Sequence, residues 1–353
     1  MIRLAFVALL AALASAGPLT EVHVDSLRST ERIRVARDSG YFPRSTVTRG
    51  GALVIIYRSG AGHQGPKGDL VSVRSTDAGR TWSAPVPVAM DPDADDRNPA
   101  LGTAADGTLV AAFYWRKSVP NEQPVSKVGF VYSSDEGRSW SKPVWAPENA
   151  SWRTYSPYGR ILTLKNGQMV LPVYYRASTW LLRSNDNGKT WGDLTLVAND
   201  INETGYVVLP SGEWVLVGRD SNVHGSHSLV RRSPDGRKWS EPTQLLTNRR
   251  LPSDLAVLSD GSLLAVHGYR TIPRGARALR SLDGGKTWLP IDFVIHDKAE
   301  HNTDTGYPSV EVINGWVVVC FYDASNAPDG KADPTGAFLE VVRIRESEIL
   351  SRR

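Results

Sequence analysis

Six times along this chain a polar turn ending in glycine gives way to a short, almost unbroken apolar run. The runs follow Gly51 (GGALVIIY), Gly107 (DGTLVAAFY), Gly167 (NGQMVLPVYY), Gly212 (SGEWVLVG), Gly261 (DGSLLAVHGY) and Gly315 (NGWVVVCFY). Apolar runs of this length, bounded by turn residues, predict buried β-strands. About eight residues before each glycine, a strand's length back, the sequence turns polar and specific, reading YFPR, DRNPA, YSPYGR, NETG, LPSD and TGYPS. These stretches predict the starts of six inner strands, at Pro43, Pro99, Gly159, Thr204, Ser253 and Tyr307.

A second signal is interleaved with the first. Ser75–Trp82 (STDAGRTW), Ser133–Trp140 (SSDEGRSW), Ser184–Trp191 (SNDNGKTW), Ser233–Trp239 (SPDGRKW) and Ser281–Trp288 (SLDGGKTW) repeat one pattern at tryptophan spacings of 58, 51, 48 and 49 residues. Its chemistry is that of a turn: the Asp carboxylate accepts backbone N–H groups, the Gly permits positive φ, and the Trp buries a large ring beneath. A period near 50 residues belongs to the blades of a propeller. The expected fold is therefore all-β, a six-bladed β-propeller of four-stranded antiparallel blades occupying residues 17–353. The sixth blade lacks the tryptophan turn, and its outermost strand is expected from the N-terminal segment around Arg32–Ala36, which would close the ring and remove an exposed edge.

That fold assigns the faces. In up-and-down blades the first-to-second and third-to-fourth turns share one side, so the glycine turns and tryptophan turns lie together at the bottom. The opposite side holds the inner-strand starts, where ligand sites at a channel mouth are built. The second strands of five blades end there in Arg58, Arg116, Arg176, Arg219 and Arg270, and the sixth ends in Asp323. Guanidinium groups converging on a pocket suit an anionic ligand, through paired N–H donors to a carboxylate.

Composition narrows the picture further. Residues Met1–Ala16 combine Arg3, an apolar run and an Ala-Ser-Ala site, which predicts a signal peptide and a secreted or periplasmic mature chain with no membrane span. The single cysteine, Cys320, excludes an internal disulfide and sits in an apolar run. A net charge of +4 is spread over the whole chain without a basic cluster, which argues against nucleic acid as a partner. No metal-ligand spacing, phosphate loop or nucleophile elbow occurs, so no metal or cofactor is expected.

The tryptophan turns resemble the Asp-box of the sialidase superfamily, and the resemblance covers nearly the whole mature chain. It implies an exo-acting, retaining glycoside hydrolase acting on a glycan. Asn202-Glu203-Thr204 is similar to the family's fourth inner strand, and Gly306-Tyr307-Pro308-Ser309 to the setting of its nucleophilic tyrosine. The resemblance thus implies Tyr307 as nucleophile and Glu203 as its base. Because sialic acid carries a carboxylate on its anomeric carbon, a neutral Tyr can approach where an anionic nucleophile would be repelled. Arg219 would be the second arginine of the family's carboxylate clamp and Arg277 the third, with Arg274 competing. Asp69 is the expected acid/base and His63 its rival, an imidazole also being able to donate a proton.

The first blade departs from the family pattern. Sialidases begin it with Phe-Arg-Ile-Pro, whereas Tyr41-Phe42-Pro43-Arg44 puts Tyr41 in the arginine's place. Arg44 is then expected to supply the missing guanidinium and Asp323 to orient it, with Arg58 and Arg270 as further substrate-binding cations. Two other functions fit the same sequence. One is a related propeller glycosidase or lyase on an acidic or arabinan-type glycan, with Glu203, Asp254 and Asp304 as carboxylates. The other is a noncatalytic propeller that binds glycan or protein.

Overall fold

The computed structural model describes residues 19–63, 65, 67–221, 227–245, 250–299, 301–327 and 333–352. The predicted leader, residues 1–16, lies outside them. Six small antiparallel sheets are arranged as the blades of a propeller. Blade one is Tyr41–Val47, Leu53–Ser59, Asp69–Ser75 and Val86–Ala89. Blade four is Ile201–Val208, Trp214–Asp220, Ser228–Ser233 and Thr243–Gln244, and the other blades follow the same order from the channel outward. Blade six is completed by Glu31–Arg37, which pairs antiparallel with Phe338–Arg345, so the N-terminal segment closes the ring as expected. Thr20–His23 adds a parallel fifth strand to the outside of blade five.

Each second strand is packed on both faces by neighbouring blades, which is why it reads as a continuous apolar run rather than an alternating one. Six apolar clusters fill the six interfaces between blades, the one between blades one and two joining Val54 and Ile56 to Leu101, Ala111 and Phe113. A seventh, aromatic cluster sits apart from these and contains Tyr41, Phe42, Tyr158, Tyr307 and Tyr322.

The tryptophan turns close as their chemistry requires. Ser75 Oγ donates to Asp77 and accepts the Gly79 N–H, while Asp77 accepts the backbone N–H groups of Arg80 and Thr81 at 3.0 and 2.9 Å. Burial opposes ionisation of Asp77, but hydrogen bonds from the Thr81 side chain and backbone outweigh it and pull the carboxyl down to about 2. Asp135, Asp186 and Asp283 are held down the same way. The residue just before the serine latches successive blades together. Arg74, Tyr132, Arg183 and Arg232 each donate from one blade to a turn carbonyl of the next, at Glu136, Gly188, Gly236 and Gly284. Where blade six offers no such turn, Arg280 bonds the carbonyls of the C-terminal residues instead.

Blade three differs from the rest. Its inner strand is broken, with Ser156–Pro157 and Leu162–Thr163 pairing to Met169–Tyr175 while Gly159–Arg160 pairs in parallel with blade two. Gly102 permits that approach, since a Cβ there would lie 2.1 Å from the Ile161 carbonyl oxygen.

Candidate active site

Five of the inner strands begin two to four residues earlier than expected, at Tyr41, Asp95, Ile201, Arg250 and Thr305, because each carries a register shift near its start. In four of them one residue at the shift takes positive φ: Phe42 (54°), Asn98 (49°), Glu203 (48°) and Tyr307 (48°). Such bulges bend a strand and re-aim a side chain, and left-handed backbone in a non-glycine residue is strained. Glu203 and Tyr307 are thus equivalent residues of blades four and six, turned to meet each other.

They do meet: the Tyr307 hydroxyl donates to Glu203 Oε1 at 3.1 Å. Glu203 Oε2 pairs with Arg219 Nη1 at 2.9 Å, and Arg219 Nε donates to Asn202 at 2.8 Å. The Arg270 guanidinium lies 5.6 Å from the Tyr307 ring centroid. Burial raises the Tyr307 phenol and the Glu203 charge raises it further, with Arg270 and Arg219 opposing. The resting phenol is therefore neutral, and its nearest acceptor is a carboxylate.

A second cluster faces the same tyrosine. His63 Nδ1 is 2.7 Å from Asp304 Oδ1, and the Tyr322 hydroxyl donates to the same oxygen. The His63 ring stands edge-on to Tyr307, with centroids 5.9 Å apart, and to Phe42 at 4.8 Å. Arg97 fixes the loop by donating to the His63 carbonyl at 2.9 Å. Since Nδ1 must carry a proton to donate to Asp304, Nε2 is left as the exchanging nitrogen.

Of the residues expected at the site, Tyr307, Glu203, Arg219, Arg270 and His63 come together. The others are placed elsewhere. Arg58 is fully buried with Asp95, Nη2 to Oδ1 being 2.7 Å, and so belongs to the interior rather than the rim. Arg277 lies on the third strand of blade five and pairs with Asp292 at 3.1 Å and with Glu21, facing away from the channel; its rival Arg274 opens that strand opposite Ala299. Asp323 does not orient Arg44 but pairs with His296 at 2.7 Å. Arg44 is buried, donates to the Pro308 carbonyl at 2.9 Å, and stacks on Tyr158 at 4.1 Å, so it meets no ligand arriving from solvent. Asp69 begins the third strand of blade one opposite Ser59, and the charges that act on it are those of Lys67 and Arg58, not of Tyr307 or Glu203.

The first-blade departure has its own structural setting. Tyr41 is packed against Tyr322 at 4.9 Å with its side chain sealed, and Phe42 holds the bulge position that matches Glu203 and Tyr307. The sequence carried a signal for this: Phe42-Pro43, Asn98-Pro99 and Tyr307-Pro308 are the same dipeptide position in three blades. The two-carboxylate arrangement loses a member, because Asp254 is buried in the channel, taking hydrogen bonds from Arg160, Ser309 and the Val310 N–H. Among the described residues no group of three His, Cys, Asp or Glu side chains could hold a metal ion, and no helix is long and apolar enough to cross a membrane.

Comparison with known proteins agrees with this architecture. Residues 51–319 match the family model for the BNR repeat-like domain. A sialidase from Bacteroides fragilis is 24% identical over 302 residues, covering 73% of this chain and 54% of its own length, so the chain spans about half of that relative. Among solved structures, a protein of unknown function from Dyadobacter fermentans superposes with a TM-score of 0.75 at 25% identity, covering 90% of this chain and 99% of its own. A Hadza microbial sialidase superposes with a TM-score of 0.68 at 19% identity, covering 88% and 66%. With a six-bladed propeller, a matching family model over most of its length and sialidases among its relatives, the chain belongs to the BNR repeat-like family of the sialidase superfamily.

Proposed function

We propose that the protein is a retaining glycoside hydrolase of sialidase type, exported by its leader and acting on the terminal residue of an anionic glycan. The observation that carries this reading is the Tyr307–Glu203 contact at 3.1 Å, with Arg219 and Arg270 beside it. Tyr307 Oη attacks the anomeric carbon while its proton passes to Glu203, and His63 Nε2 protonates the departing glycosidic oxygen. Water then attacks the same carbon, its proton goes to His63, and the Tyr307 oxygen leaves and recovers its proton from Glu203. Asp304 holds the imidazole and stabilises its cationic form, so His63 rather than Asp69 serves as acid/base. Arg219 and Arg270 bind the carboxylate as the ring passes through an oxocarbenium-like state.

Release of fluorophore from an aryl α-sialoside by the wild type and by Tyr307→Phe tests the proposal. Turnover by the wild type, and its loss by at least about 10²-fold in the variant, is expected. Unchanged turnover in Tyr307→Phe would remove the tyrosine mechanism.

A further inference from the structure

Besides Arg219 and Arg270, a further arginine borders the pocket. Arg97 lies on the inner strand of blade two, one residue before the bulge at Asn98, and its side chain is 13% exposed. Nη2 donates to the His63 carbonyl at 2.9 Å. The guanidinium carbon lies 5.5 Å from the centre of the Phe42 ring, which packs edge-on against both His63 and Tyr307. Among the described residues its only other hydrogen bond is a long one, 3.4 Å from Nη1 to Asp95.

Positive charge is left over at this point. Asp95 already takes two N–H groups of the buried Arg58, at 3.0 and 2.7 Å, so one carboxylate stands against two guanidinium groups. Asp96, on the other face of the strand, accepts the Asp91 N–H and is pushed up to about 7 by burial, which leaves it only partly charged at neutral pH. Asp304 is shared by His63 and Tyr322, and Asp69 stands beside Lys67. Position then decides which part of a substrate meets Arg97. In the proposed reaction His63 Nε2 protonates the glycosidic oxygen, which departs with the leaving group. A cation tied to His63 therefore borders the leaving group, whereas Arg219, tied to Glu203, borders the sugar that Tyr307 attacks. We propose that Arg97 binds a carboxylate on the leaving group, so that the preferred substrate is a glycan whose terminal acidic sugar is joined to a second acidic sugar. This rests on the sialidase-type reaction proposed above. Arginine N–H groups open to solvent suit a carboxylate through paired donors, and one such charge-assisted contact is worth about tenfold in kcat/KM.

The test compares two substrates that differ by one charge: an α2,8-linked dimer of sialic acid, and the same dimer with its reducing-end carboxylate as the methyl ester. The ratio of kcat/KM, acid over ester, is expected to be about ten in the wild type and about one in Arg97→Gln. Gln keeps an N–H donor for the His63 carbonyl, and any cost of the change to the His63 loop falls on both substrates and cancels in the ratio. Raising sodium chloride is expected to lower the wild-type ratio, because the contact is open to screening; if Arg97→Gln does not fold, the wild-type ratio and its salt dependence decide. Turnover of an aryl α-sialoside with neither dimer cleaved, a wild-type ratio near unity, or a ratio unchanged in Arg97→Gln would overturn the inference. A wild type inactive on the aryl α-sialoside and on both dimers would instead overturn the sialidase-type reading beneath it.

Discussion

Replacing Glu203 by Gln separates the two tasks of this carboxylate more sharply than any other single change. One oxygen accepts the Tyr307 proton at 3.1 Å and the other faces the Arg219 guanidinium at 2.9 Å. A guanidinium only donates, so the Gln carbonyl must turn to Arg219 and the amide NH2 must turn to Tyr307. The tyrosine oxygen would then accept a hydrogen bond where it previously donated one, and its proton would have no acceptor. Even an ordinary phenol is ionised only about one part in a thousand at pH 7, and burial and the Glu203 charge push Tyr307 above the ordinary value. Loss of a positioned base therefore predicts a fall in kcat of about 10²- to 10⁴-fold, roughly 3 to 5 kcal/mol, with KM little changed because Arg219 keeps its place. Steady-state kinetics on an aryl α-sialoside, beside melting curves showing that both proteins are folded, measure it. A Glu203→Gln enzyme within about threefold of wild-type kcat would refute the reasoning and reduce Glu203 to an anchor for Arg219.

Three other outcomes follow from particular contacts. His63→Asn should slow release of a poor leaving group far more than of an activated aryl group, which needs little protonation, whereas Asp69→Asn should leave both within about threefold; the reverse ranking would move the acid/base role to Asp69. Stability should decline between about pH 4 and 2. The turn carboxylates Asp77, Asp135, Asp186 and Asp283 are depressed to about 2 in the folded state, so their contribution is complete above the unfolded carboxyl pKa and lost as pH falls through the folded one. Melting temperature against pH for wild type and Asp77→Asn checks this, the variant showing the shallower fall. Tyr307→Phe should melt within a few degrees of wild type, since only one hydroxyl, with its contacts to Glu203 and Arg270, is removed, so a lost activity there reports chemistry rather than unfolding.

The propeller was legible because its signals are local and repeated. A turn glycine before an apolar run and a Ser-Asp-Gly-Trp turn both act within a few residues, and both recur in register with the blades. Closure by residues near Arg32 was also readable, from the missing turn in blade six. Arg219 and Arg270 were found because the position of a residue on its strand fixes which end of the propeller it occupies, and the same count put the stretches holding Glu203 and Tyr307 at that end, whereas their roles came from the family resemblance. Partner choice among charged side chains was not legible. Arg58 and Asp95 are 37 residues apart and Arg277 and Asp292 15 apart, and only the packed blades show that each guanidinium is already satisfied. The equivalence of Phe42 with Glu203 and Tyr307 has the same origin: Tyr41 stands in the arginine's place when motif letters are matched, and a bulge that re-aims one residue is not visible in them. His63 was recognised as a rival acid, but the Asp304 and Tyr322 that hold it come from the other end of the chain.

The central claim is that Tyr307 becomes covalently attached to the sugar. Incubation of the wild type with 2,3-difluorosialic acid, followed by proteolysis and peptide mass spectrometry, tests it most directly. The account predicts a sugar adduct on the peptide containing Tyr307, absent in Tyr307→Phe. Turnover of an aryl α-sialoside by an enzyme that acquires no label on Tyr307, or acquires it on another residue, would contradict it.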